Sequence, residues 1–84
     1  MIYVDTPTKH PGKRKLYSHM MSDVSLDELH KFAETNGIKR HFFHRGNHYD
    51  INESQFNNLR GRIGVNVVDP RYLVDIRKRL YSKG

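Results

Sequence analysis

Two kinds of apolar pattern alternate along this 84-residue chain. Leu26, Leu29, Phe32 and Ala33 recur at helical spacing, as do Phe56, Leu59 and Ile63, and then Leu73, Ile76 and Leu80. Short β-prone runs lie before and between them, at residues 2–4, 39–44 and 65–68. Helix boundaries are well signalled. Ser25 with Glu28 three residues on predicts a capping box, with Val24 placed to staple onto Leu29 and Gly37 as the left-handed stop. Asn52 with Gln55 repeats the box, Ile51 is placed against Phe56, and Gly64 is the expected end. Asp69-Pro70 reads as an N-cap followed by proline at the first helical position, where its missing donor costs nothing. On the solvated side of this third helix, Arg71, Asp75 and Arg79 are spaced to pair.

The remaining stretches are less regular. Residues 6–16 hold Pro7, Pro11 and Gly12 with Lys9, Lys13, Arg14 and Lys15 and no acid, which predicts a mobile basic loop, either a solvated connection or a lid over an anion. Residues 17–24 follow no clear period. Arg45-Gly46-Asn47 is turn chemistry, after which residues 48–51 either run on to the next helix or return as a hairpin. Strand–helix alternation three times over implies a single α/β domain across residues 1–84, with three short, mostly parallel strands and three helices. So thin a sheet has edges to cover, which makes a homodimer a reasonable expectation.

Composition narrows the class. Without cysteine there is neither a disulfide framework nor thiolate chemistry. No apolar run approaches the ~20 residues of a membrane span, and the first residues lack a signal-peptide layout, so the cytoplasm is the default address. A net charge of +6 favours polyanionic partners such as nucleotides or nucleic acid.

In an open parallel sheet, ligands bind beyond the carboxyl ends of the strands. Asp5, the triplet His48-Tyr49-Asp50 and Asp69 each follow an expected strand, and Ser18, His19 and Asp23 lie between the first strand and the first helix. Three helix N-termini, near Ser25, Asn52 and Asp69, would face the same edge and add anion-binding donors. The combination suits a phosphate-bearing ligand and, if catalytic, phosphoester hydrolysis. Asp5, His19, His48 and Asp50 are then the candidate catalytic residues, with magnesium or manganese on Asp5 and Asp50. Lys13, Arg14, Lys15, Asp23, His30, Arg40 and Tyr49 are the candidate ligand-binding residues. Plainer readings stand beside these: Asp69 and Asp23 as caps, and His30 as a histidine at the edge of the core. The run His41, His44, His48, Asp50 has donors that zinc or iron accepts, but a strand would send His41 and His44 to opposite faces.

The chain also carries a dense set of ordered residues. They are Asp5 and Pro7; Ser18, His19, Met20, Ser22 and Asp23; Ser25, Leu26, Glu28, Leu29, His30, Phe32 and Ala33; then Gly37, Arg40, Phe43, His48, Tyr49 and Asp50. In this order they resemble the pattern of small bacterial and phage proteins grouped as domain-of-unknown-function family 4031. Tyr17 stands where that family usually shows Trp, and Lys13-Arg14-Lys15 is more basic than usual. The resemblance implies a compact α/β domain with polar signature residues, and carries no assigned activity. The rival to a phosphate-ligand site is a non-catalytic adaptor or inhibitor that binds a host protein or DNA through Arg71, Arg77, Lys78, Arg79 and Lys83. A dimer of structural or toxin–antitoxin type, with no ligand, is a third.

Overall fold

A computed structural model describes residues 1–12 and 14–81; Lys13 and Lys83 lie outside the described residues. Among the described residues six strands form one sheet: β1 (Ile2–Asp5), β2 (Thr8–Lys9), β3 (Leu16–Ser22), β4 (Phe43–His44), β5 (His48–Asn52) and β6 (Val65–Val68). Three α-helices accompany it: α1 (Leu26–Thr35), α2 (Glu53–Leu59) and α3 (Pro70–Ile76), the last running into a π-helical turn at Arg77–Tyr81. The strand order is β4-β5-β3-β1-β6, with β2 paired to β3. The α/β character is as expected, but the mostly parallel sheet is not. Among the described residues only β1 and β6 run parallel, and every other pairing is antiparallel.

The difference comes from residues 16–22. They form the central strand, yet their hydropathy hides the period of two, because Met20 and Met21 are both buried, on opposite faces of the sheet. The expected irregular loop is part hairpin: Thr8 and Lys9 pair with Tyr17 and Leu16, so β1 returns as antiparallel β3 without a helical crossover. Residues 39–44 likewise give a 3-10 turn at Arg40–Phe42 and only a two-residue strand. The hairpin return at residues 48–51 is the alternative realised, with Arg45 (φ 54°) and Gly46 (φ 72°) both left-handed in the turn.

The sheet has two unlike faces. Ile2, Val4, Met20, Tyr49 and Ile51 point to one of them and pack with Leu29 and Ala33 of α1 and Phe56 and Leu59 of α2 to make the main core. The other face is covered only in part, by Leu73 and Ile76 of α3 against Met21, Tyr3 and Val68. The sheet path ends in the two-residue β4 and the four-residue β6, and edges this short lessen the need for a second copy. No helix among the described residues is long and apolar enough to cross a membrane.

Helix ends follow the signals with informative exceptions. Ser25 Oγ accepts the Glu28 N–H at 3.1 Å, but the Glu28 carboxylate does not return to Ser25. It takes the Ser22 hydroxyl at 2.6 Å and the Met1 amine at 2.8 Å, and Ser22 Oγ accepts the Ser25 N–H instead. Val24 is 64% exposed and gives little to the expected staple. At Asn52 and Gln55 the box is complete, with both bonds made at 2.8 and 2.9 Å. α2 stops at Leu59, short of Gly64, because Arg60 is already extended and Gly61 turns at φ 86°. Ile63 is therefore fully solvated rather than part of a helical stripe. Leu80, expected in the third stripe, sits in the π-helical turn and is exposed. Arg71 faces Asp69 at 3.5 Å.

These packing differences set a stability contrast. Met20→Ala should cost about 2–5 kcal/mol, because a fully buried side chain leaves a cavity, whereas Val24→Ala should stay within about 0.5 kcal/mol. Urea unfolding followed by circular dichroism measures both.

Candidate functional site

On the partly covered face, antiparallel registry brings scattered polar residues together. His19 of β3 lies directly opposite Asp50 of β5, and the register that pairs Val4 with Met20 carries Asp5 alongside His19. Directly opposed residues share a face, and His48, two before Asp50, shares it too. Asp5, His19, His48 and Asp50 thus form one patch on the sheet surface beside α3. The site is therefore on a face of the sheet rather than beyond its carboxyl edge, because the central strand runs opposite to its neighbours.

A cleft of about 730 Å³ stands over this patch, within the range of small-molecule sites. Leu73, Val74 and Arg77 line it from α3 and the turn after it, and His41, His44 and Arg45 line it from the chain around β4. His10 and Pro11 contribute from the loop after β2. Five of the six histidines of the chain line this cleft. Their rings touch in series: His10 stacks on His19 with centroids 5.0 Å apart, His19 meets His48 edge-on at 5.0 Å, and His48 meets His44 at 5.8 Å.

Asp5 is only 2% exposed, and both of its oxygens face His19. One accepts the backbone N–H of His19 at 2.7 Å, the other meets ring Nδ1 at 2.8 Å. That hydrogen bond raises the His19 pKa above its ordinary 6.5, against the opposing effect of burial. His48 goes the other way. Burial pushes its pKa down to about 4, with His19 and His44 adding to the shift and Asp50 opposing it. Its Nδ1 lies 2.5 Å from Asn47 Oδ1, and its Nε2 lies 3.1 Å from Asp50 Oδ1. That Asp50 oxygen is buried and takes no hydrogen bond. His19, His48 and Asp50 each bring one metal-ligating atom within 4.8 Å of the others.

The four residues expected to be catalytic are therefore neighbours, while the expected ligand-binding residues scatter. Asp23 lies at the other end of β3, where it holds the Met1 amine at 2.8 Å and the Tyr3 hydroxyl at 3.2 Å. The N-terminus of α1 lies at that end too, so the three helix starts do not share an edge. His30 and Tyr49 meet on the opposite face, where His30 Nδ1 sits 2.7 Å from the Tyr49 hydroxyl beneath α1. Arg40 faces Glu34 of α1 at 3.6 Å. Arg14 and Lys15 are exposed on the loop. Asp69 is a cap, accepting the Arg71 N–H at 2.9 Å. Asp5 is not half of a bare carboxylate pair with Asp50, since its oxygens are committed to His19. His10 and Arg45 line the cleft although sequence reasoning gave neither a site role, while His44 and Arg77 figured there only as a metal donor and as part of a basic adaptor surface.

Fold and site together define a small α/β domain whose mixed sheet carries an open, histidine-rich face. Residues 2–80 match the model of a family described as a protein of unknown function, DUF4031, and the chain belongs to that family. No curated protein and no solved structure matches it.

The two imidazoles predict opposite pH limbs in protein kept free of added metal. Between pH 6.5 and about 4 the unfolded chain binds the His48 proton and the folded chain does not, so stability falls as pH drops through that window. Above 6.5, folded His19 retains a proton that the unfolded chain releases, so its contribution is lost as pH rises through the raised value. Urea unfolding across this range should show these two contributions peaking together near pH 6.5, with His48→Gln flattening the acid limb and His19→Gln the alkaline one.

Proposed function

We propose that this domain binds a phosphate-bearing ligand, a nucleotide or nucleic-acid strand, in the cleft over the open sheet face and hydrolyses a phosphoester there. The observation that carries this reading is the meeting of Asp5, His19, His48 and Asp50 on the floor of one cleft whose sides hold Arg45 and Arg77. Guanidinium groups recognise phosphate oxygens in a planar, bidentate manner. A net charge of +6 draws polyanions toward such a site. Among the described residues the floor supplies imidazoles and carboxylates but no serine or cysteine nucleophile, so the class of hydrolysis is one in which a cation assists attack by water. This moves phosphate contact from Arg40 to Arg45 and Arg77, and it leaves Asp5 as the residue that positions His19.

Inorganic phosphate and adenosine monophosphate, titrated into the labelled protein, should shift amide resonances of His19, His48, Asp50 and Arg77. With zinc, cobalt or manganese supplied in turn, bis(p-nitrophenyl) phosphate should be hydrolysed with at least one of them, and His48→Gln or Asp50→Asn should slow it by about 100-fold or more. Arg71→Glu with Arg79→Glu, on the outer side of α3 and beyond it, should leave that rate alone. Shifts confined to α3, with no hydrolysis, would instead favour the adaptor that uses a basic surface.

A further inference from the structure

We infer that His19, His48 and Asp50 are the ligands of a divalent transition-metal ion, with Asp5 as the residue that positions His19. The inference deepens the proposed function by naming the cation and its ligands, and rests on it only for what the cation does.

The argument is one of hydrogen-bond accounting. His19 Nδ1 is committed to Asp5, which in the neutral ring places the proton on that nitrogen and leaves Nε2 as a bare acceptor. His48 Nδ1 faces the side-chain oxygen of Asn47, and in the tautomer that donates to this oxygen the Nε2 of His48 is bare as well. Asp50 Oδ1 is buried without a donor. This oxygen lies 3.1 Å from His48 Nε2. In that tautomer two unprotonated acceptors face each other, and leaving a buried carboxylate oxygen unpaired is costly. A third acceptor, from His19, stands within 4.8 Å of both. With both rings neutral and protonated on Nδ1, three electron pairs converge with no donor among them, an arrangement that suits a cation.

The geometry also selects the kind of cation. Metal–nitrogen bonds of about 2.0–2.1 Å place neighbouring ligands roughly 3.0–3.4 Å apart. The His48–Asp50 side already has that span, and His19, within 4.8 Å of both, closes the remainder by a side-chain adjustment. Two imidazoles and one carboxylate suit zinc, iron(II) or cobalt(II), whereas magnesium prefers oxygen ligands and keeps its waters. This replaces the expected magnesium or manganese on Asp5 and Asp50. Asp5 instead backs His19 as an outer carboxylate does in histidine metal sites, fixing tautomer and ring orientation. Three protein ligands on the floor of an open cleft leave coordination positions for water or a phosphoryl oxygen.

The test is cobalt(II) and zinc(II) titration of the purified protein without phosphate, read by visible absorption and calorimetry. One cobalt ion per chain should bind with visible d–d bands, and zinc should displace it. His19→Gln, His48→Gln and Asp50→Asn should each weaken binding by more than ~100-fold, Asp5→Asn by about 10–100-fold, and the exposed Glu53→Gln should leave it unchanged. Should a variant fail to fold, wild-type nitrogen NMR decides: zinc should shift Nε2 of His19 and His48 and leave His30 in place. Absence of cobalt bands, binding that the three substitutions leave intact, or zinc shifts centred on His41 and His44 would each overturn the inference. Metal binding without any phosphate effect would sink only the proposed function, and phosphate binding without metal only this inference.

Discussion

The buried carboxylate of Asp5 is the constraint on which the polar half of this domain depends. A charge that is 2% exposed must be satisfied by its neighbours, and here the backbone N–H and the ring of a single residue, His19, do so. The two contacts act on different levels. Bonding to the backbone ties the end of β1 to the middle of β3, which helps hold the registry of the central pair. Bonding to the ring decides which nitrogen of His19 faces the cleft. One side chain thus links strand pairing to the chemistry available at the surface.

Much of the helical layer was legible, because capping and apolar spacing are local signals. Ser25, Asn52, Asp69 and Gly37 act where a reader would place them. The sheet was not, and the reason lies in residues 16–22. A central strand packed on both faces lacks the alternation that identifies a half-buried one, and Thr8 and Lys9, which turn the chain back, look like ordinary loop. Missing that strand reversed the direction of the middle of the sheet. The error then propagated: Asp23 and the start of α1 moved to the far end, and His30 and Tyr49 to the far face.

The four residues expected to be catalytic still lie together, for a physical reason. Asp5, His19, His48 and Asp50 gather because antiparallel pairing sets Asp5 beside His19 and His19 opposite Asp50. What changed is the surface they share. A site at the mouth of parallel strands would lean on helix dipoles, whereas the floor of this one is built from side chains on a sheet face, with α3 and the chain around β4 as walls. Arg45 and Arg77 owe their place to tertiary packing, and no short-range pattern marks them.

The strict division between the two faces of the sheet has an evolutionary corollary. Along β3 and β5, residues adjacent in the chain serve unrelated masters: His19 the cleft and Met20 the interior, Asp50 the cleft and Ile51 the interior. Mutation can therefore retune the cleft at every second position while the interior is left as it is. An insertion or deletion of one residue has no such freedom. It would turn imidazoles and acids inward and methionine and isoleucine outward at one stroke, so length in these strands should drift far less than the identity of their outward side chains.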